Sequence, residues 1–154
     1  LMDHTPQTHI FMGIAGHDNT GKTAIVTDAF ANDKEAAKNN EELWIIDFEG
    51  GGAANKSAFH KNNDRIKCWE PWVMSKGDRT AYNYPETHDR VMGIVQFANE
   101  IAQKQRDPEY EGTRLWGLQV MVLKRLIGIR RSAISGTGLF VRLVFINLLL
   151  SVEG

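Results

Sequence analysis

The chain has 154 residues, of which 42% are hydrophobic and 24% are charged, and its formal net charge is −1. This composition is typical of an ordinary globular protein and excludes the collagen-like, disordered and disulfide-rich classes. The near-zero charge gives no electrostatic reason to expect a membrane surface or a nucleic acid as partner. The single cysteine, Cys68, cannot form an internal disulfide, and residues 1–8 are too polar for a signal peptide. We therefore expect a cytoplasmic protein, or one of the host cytoplasm if a virus encodes it.

The charged residues are unevenly distributed along the chain. Residues 1–112 are acidic overall, whereas residues 113–154 contain six basic residues and a single acidic one, Glu153. We therefore divide the chain into a core over residues 1–112 and a basic, apolar C-terminal segment over residues 113–154. We expect the two to form one domain, because 154 residues are about one domain's worth of chain.

The first elements alternate between strand and helix. Residues 9–15 form a short apolar run that ends at a glycine and predicts a buried strand. Residues 24–31 predict a helix, and residues 34–42 are interpreted as a charged connector. Residues 43–48 are rich in aromatic and β-branched side chains and predict a second buried strand, which residues 49–52 follow as a loop.

The later elements continue this alternation. Residues 65–69 predict a third, edge-like strand, and residues 87–105 predict a helix because their apolar side chains recur at helical spacing. Residues 115–123 predict a further strand. The apolar run over residues 139–152 is too short and too polar for a membrane span and is interpreted as a buried or aggregation-prone segment. This order of elements predicts an α/β fold with a parallel sheet.

Residues 16–23 match the pattern G-x-x-x-x-G-K-[ST] at every fixed position. In such a loop the glycines let successive backbone N–H groups point at phosphate oxygens, and the following helix adds its positive N-terminus. The lysine brings a positive charge to the β- and γ-phosphates, and the hydroxyl is a hard oxygen ligand for Mg²⁺. The candidate nucleotide-binding residues are Gly16, His17, Asp18, Asn19, Thr20, Gly21, Lys22 and Thr23.

The four residues from Asp47 to Gly50 lie at the end of the second predicted strand and in the loop after it. They allow two interpretations. As D-x-x-G they are similar to the phosphate-sensing turn of GTPases, but the chain lacks the N-K-x-D element that reads guanine. As D-x-E-G they resemble RecA-like P-loop ATPases, in which the second strand ends in Asp-x-Glu. With the glycine-rich loop, the resemblance extends over residues 9–52. It points to small archaeal and phage ATPases associated with recombination.

The resemblance implies an α/β P-loop NTPase fold, with a parallel sheet flanked by helices, and ATP with Mg²⁺ as ligands. It implies that Glu49 orients the water that attacks the γ-phosphate, with Lys22 as the second catalytic residue. The candidate Mg²⁺ ligands are Thr23 and Asp47. A homo-oligomer, such as a ring or filament, and DNA as a partner are further expectations from the family, although the net charge gives DNA no support.

A P-loop ATPase needs a second acid at the end of a later apolar strand, where it positions Mg²⁺. No Asp or Glu occurs from Thr113 to Val152, so we expect hydrolysis to be impaired. One hypothesis is that the segment after about Trp116 is a frameshifted tail that leaves the sheet incomplete. When residues 117–128 are back-translated and read two bases on, one permitted product is ITGDGVETFDW, which restores the acids. The alternative is a divergent protein whose second acid lies elsewhere.

Two other functional classes stay open. In the first, the chain is a non-catalytic nucleotide-binding fragment or a subunit that another chain completes. In the second, it is a P-loop kinase that phosphorylates a small acceptor. A kinase needs an arginine-bearing lid, for which Arg130 and Arg131 are the candidates.

A group of aromatic residues either stacks on a nucleotide base or forms core and loop contacts. Its members are Trp69, Trp72, Tyr82 and Tyr84.

Overall fold

A computed structural model describes residues 9–14, 21–122 and 143–149 of the chain. Its elements in chain order are β1 (His9–Ile14), α1 (Lys22–Asn32), α2 (Lys34–Lys38), β2 (Glu41–Asp47), α3 (Gly51–Phe59), β3 (Ile66–Trp69), β4 (Met74–Ser75), β5 (Asp78–Tyr82), α4 (Tyr84–Lys104), β6 (Arg114–Val122) and β7 (Leu143–Leu149). Among the residues that the structure describes, no helix has the length and hydrophobicity of a membrane span.

The main sheet has five strands in the order β1-β7-β6-β2-β3, and β4 pairs with β5 in a separate hairpin. Strands β3, β2 and β6 are parallel, whereas β7 runs antiparallel to both of its neighbours. The fold is therefore mixed α/β with a three-stranded parallel part flanked by helices, as predicted. The predicted parallel sheet does not extend to β7. That strand starts directly opposite the end of β6, with Leu143 paired with Val122 in antiparallel register.

One hydrophobic core packs the parallel strands against α1. Because side chains of a strand alternate between faces, Leu43 and Ile45 of β2 lie on this side, where they meet Phe30 of α1. A register shift between Glu42 and Leu43 accompanies the placement of Trp116 on the same side. The indole of Trp116 packs on Phe30, with ring centroids 5.3 Å apart.

A second core covers the opposite face of the sheet, under α4. Trp44 and Leu115 pack here against Ala98 and Ile101 of the helix. The helical spacing that predicted α4 is confirmed by this contact. Its apolar stripe is buried at the C-terminal half of the helix and half-buried at Ile94.

The short helix α2 begins at a cap that Asp33 provides. The Asp33 carboxylate accepts hydrogen bonds from the backbone N–H groups of Glu35 and Ala36, both at 3.0 Å, and from the indole of Trp116 at 2.8 Å. Burial raises the pKa of Asp33, but these hydrogen bonds and the nearby Arg65 outweigh it, so the pKa lies below its usual value of 3.8. This cap explains why part of the expected charged connector over residues 34–42 is helical.

The other strand and helix predictions were confirmed with small shifts of their ends, and three corrections remain. The expected loop over residues 49–52 already contains the start of α3, which the sequence analysis missed. The hairpin of β4 and β5 was also missed, although Gly77, at φ 98°, marks its turn. The second strand begins at Glu41 rather than at Leu43. The predicted edge strand forms one edge of the sheet as β3, and β1 forms the other edge. The burial expected for β1 stays a prediction, because the structure describes no side chains of that strand.

Candidate functional site

Three strand ends meet at one edge of the sheet. Strand β1 is antiparallel to β7, which is antiparallel to β6, so β1 runs in the same direction as β6 and β2. Their carboxyl ends therefore share an edge, which is where α/β proteins bind ligands. From this edge β1 leads into the glycine-rich segment and β2 ends at Asp47. Five of the predicted binding residues lie outside the described residues, namely Gly16, His17, Asp18, Asn19 and Thr20.

The last three residues of the glycine-rich motif form the start of α1. Gly21 is the N-cap, at φ 78°, a left-handed conformation that glycine adopts at little cost. Lys22 opens the helix and is only 6% exposed, and Thr23 follows it, half-buried. The first turn of α1 contains no acidic residue, so nothing within that turn neutralises the positive end of the helix. This helix end can therefore attract an anion.

Asp47 is buried at the end of β2, where it holds the following loop. One carboxylate oxygen accepts hydrogen bonds from the backbone N–H groups of Gly52, at 2.8 Å, and Ala53, at 3.0 Å. The other accepts from the N–H of Glu49 at 3.2 Å. Asp47 is 1% exposed, so these bonds are shielded from water. The carboxylate thus has a structural role, because it accepts hydrogen bonds from backbone N–H groups in the first turn of α3, and its role as a Mg²⁺ ligand stays a prediction.

Two glycines of the Glu-Gly-Gly-Gly segment are needed for different reasons, one for its backbone conformation and one for lack of space. Gly50 is the N-cap of α3 and has a left-handed φ of 77°. Gly52 has no room for a side chain, because a Cβ atom there would lie 2.9 Å from Cγ2 of Ile45 and 3.1 Å from Oδ2 of Asp47. The glycines therefore let α3 begin directly against the end of β2.

Glu49, the candidate catalytic carboxylate, lies in a segment fixed from both sides. Asp47 binds its backbone N–H, and the preceding carbonyl, of Phe48, accepts a hydrogen bond from the indole N–H of Trp72 at 2.8 Å. The ring of Trp72 also packs edge-on against Phe48 and stacks on Tyr82, with centroids 5.2 and 4.4 Å apart. The Glu49 side chain itself is half-buried. Of the two interpretations of the aromatic residues, Trp72 makes the loop contact, and its partner Phe48 was not predicted.

The four aromatic residues singled out in the sequence do not form one cluster. Trp69 packs instead against Trp44, with centroids 4.9 Å apart, on the α4 side of the sheet. Trp72, Tyr82 and Tyr84 remain together beside Phe48. For Trp72, the contacts are those of a loop anchor.

Met121 connects the two halves of the site. It pairs with Asp47 across the sheet, and its sulfur lies 3.8 Å from the hydroxyl oxygen of Thr23. Met121 is 3% exposed and is the penultimate residue of β6. Sequence reasoning noted that this strand lacks an acid but did not identify the residue that takes its place. The position at the strand end was the available signal.

The residues described here do not make a complete Mg²⁺ site. No group of three or more His, Cys, Asp or Glu side chains in the described ranges is arranged to hold a metal ion. Thr23 offers one hard oxygen, but its neighbour on β6 is a thioether, and the Asp47 carboxylate already accepts three backbone hydrogen bonds. The predicted metal ligands therefore supply at most part of a coordination shell.

Cys68 and Gln119 line the same face of the sheet. Cys68 is half-buried against the α1 core, and burial, followed by the Asp47 charge, raises the pKa of its thiol to about 11. It is therefore a protonated packing residue and no nucleophile. Gln119 is fully buried in β6, and its amide has no hydrogen-bond partner among the described residues.

Comparisons with known proteins identified no relative: no family model matches the chain, no curated protein is significantly similar to it, and no solved structure matches it. The functional interpretation therefore depends on the residues of the site and their geometry.

Proposed function

We propose that the chain binds a nucleoside triphosphate, with ATP preferred over GTP, through the segment from Gly16 to Thr23. The observation that supports this most is the conjunction of an unbroken G-x-x-x-x-G-K-[ST] motif with the start of α1 at the carboxyl edge of parallel strands. A chance match of four fixed positions has no reason to fall between a strand and a helix at this edge.

Each residue type has a physical role in this proposal. The loop N–H groups and the positive end of α1 bind phosphate oxygens, and Lys22 neutralises charge on the β- and γ-phosphates. The hydroxyl of Thr23 contacts the Mg²⁺ ion that arrives with the nucleotide. ATP is favoured because the sequence contains no N-K-x-D element to read guanine.

We further propose a RecA-like ATPase ancestry, in which Glu49 is the water-activating carboxylate. In its support, the segment carrying Glu49 is held by Asp47 on one side and by Trp72 on the other, as a positioned base requires. Turnover by this chain is nevertheless slow, because the end of β6 offers Met121 where the metal shell needs an acid. Nucleotide binding with little hydrolysis is therefore the function we assign, and DNA or a second copy of the chain are partners to be tested.

The test is a titration of fluorescent ATP into the wild type and two lysine variants. Lys22→Ala removes the phosphate-binding charge, whereas Lys34→Ala removes a lysine from the same first position of the neighbouring helix α2. We expect Lys22→Ala to weaken ATP binding by about 10-fold to 100-fold, the equivalent of about 1.5–3 kcal/mol for a lost charged hydrogen bond. Lys34→Ala should bind as the wild type does. Equal ATP affinities for all three proteins would contradict the proposal.

A further inference from the structure

We infer that Met121 stands at the position of the missing metal ligand, and that its thioether keeps the nucleotide site from depending on Mg²⁺. The sulfur of Met121 lies 3.8 Å from the Thr23 hydroxyl oxygen, which is the metal-binding atom of the motif. Met121 is also opposite Asp47 in the sheet and is 3% exposed. This assignment rests on the proposed nucleotide binding and extends it to the metal requirement.

The chemistry of the Met121 side chain decides how strongly ATP binding depends on Mg²⁺. Mg²⁺ is a hard cation that takes oxygen ligands, whereas a thioether is neutral and soft. Asp47 does not replace the missing ligand, because its oxygens hold the N–H groups of Glu49, Gly52 and Ala53. These residues would therefore add few ligands to an ion that arrives with phosphate and water oxygens. Consequently, Mg²⁺ adds little to the ATP affinity of the wild type.

The hypothesis of a shifted reading frame is compatible with an acid at the same position, for the choice of codons that gives the product above. In the permitted product ITGDGVETFDW, the first aspartate codon consists of the last base of the Val120 codon and the first two bases of the Met121 codon. The alternative frame thus places a carboxylate within one residue of the atom that contacts Thr23.

Three substitutions of Met121 place different chemical groups at about the position of its sulfur, because the δ atoms of Asp, Asn, Leu and Met are all three bonds from Cα. Met121→Asp presents a charged oxygen, Met121→Asn a neutral oxygen, and Met121→Leu a methyl group beside Thr23. ATP affinity is measured for each protein with excess Mg²⁺ and again with EDTA. The ratio of the two affinities is the Mg²⁺ dependence, and circular dichroism checks the fold.

We expect the wild type and Met121→Leu to show the same small Mg²⁺ dependence. In Met121→Asp this dependence should rise by at least about tenfold, since a carboxylate binds the ion in Mg²⁺ and repels the triphosphate in EDTA. Met121→Asn should give a smaller rise and carries the test if the buried charge of Met121→Asp prevents folding.

The inference is overturned if the folded oxygen-bearing variants bind ATP with the Mg²⁺ dependence of the wild type. It is also overturned if EDTA weakens wild-type and Met121→Leu binding by tenfold or more, because the second ligand then lies elsewhere. A wild type that binds no ATP in either condition contradicts the proposed function itself, so the two failures are distinguishable.

Discussion

Asp47→Asn separates a structural role of this residue from a metal-binding one. The carboxylate accepts two backbone N–H groups at one oxygen and the N–H of Glu49 at the other. An asparagine has a single acceptor oxygen, so its NH₂ group must face at least one of these donors. The substitution keeps the size of the side chain and changes only the hydrogen bonds and the charge.

Asp47→Asn should lower the free energy of unfolding by about 1.5–3 kcal/mol, because one charge-assisted hydrogen bond in a buried position is lost. For a chain of this size, this corresponds to a fall in Tm of about 3–12 °C. Asp64→Asn is the matched control, because Asp64 is exposed, and it should change the free energy of unfolding by less than about 0.5 kcal/mol.

The assay combines thermal unfolding with ATP titration. If Asp47 holds the loop, Asp47→Asn lowers Tm and leaves the Mg²⁺ dependence of ATP binding as it is in the wild type. A Tm equal to that of Asp64→Asn, together with a loss of Mg²⁺-dependent affinity, would refute the structural role and establish Asp47 as a metal ligand.

Two further predictions concern the stability of the elements around the site. Gly52→Ala should destabilise the fold by about 1–3 kcal/mol, because the new methyl group meets Ile45 and Asp47. Gly93→Ala, in the middle of α4 with open space around it, should instead stabilise by up to about 1 kcal/mol, and urea unfolding of both variants checks the contrast. Because the folded pKa of Asp33 is lowered, its contribution to stability is present above the unfolded pKa of 3.8 and is lost as pH falls through the lower folded value. The wild type should therefore exceed Asp33→Asn in free energy of unfolding at pH 7, and the gap should narrow as the pH falls below 3.8; a gap independent of pH would contradict this assignment.

Much of the fold could be predicted because its elements have strong local patterns. The apolar stripe of α4 and the buried run of β2 required no tertiary information. Helix α3 was missed because Gly51 and Gly52 favour a loop locally, whereas the buried carboxylate of Asp47 caps a helix there. The antiparallel β7 was missed because strand direction depends on where the chain returns to the sheet, which periodicity does not encode.

The candidate site could likewise be predicted only in part. The glycine-rich motif can be recognised in the sequence because the residue types themselves carry the chemistry. The hydrogen bond from Trp72 to the Phe48 carbonyl, next to Glu49, joins residues more than twenty positions apart and leaves no local pattern. The buried amide of Gln119 has no hydrogen-bond partner among the described residues, which agrees with the hypothesis of a tail of foreign reading frame, since leaving such an amide unpaired costs about 1–3 kcal/mol. The nucleotide sequence of the gene tests that hypothesis directly.

The central claim is that this chain binds a nucleoside triphosphate and turns it over little. The most direct measurement follows binding and phosphate release in the same sample of wild-type protein, with ATP and GTP in competition. We predict saturable binding that ATP displaces more readily than GTP, with phosphate release near background. No binding of either nucleotide would contradict the claim at its base, and rapid ATP hydrolysis by the chain alone would contradict the role assigned to Met121 at the end of β6.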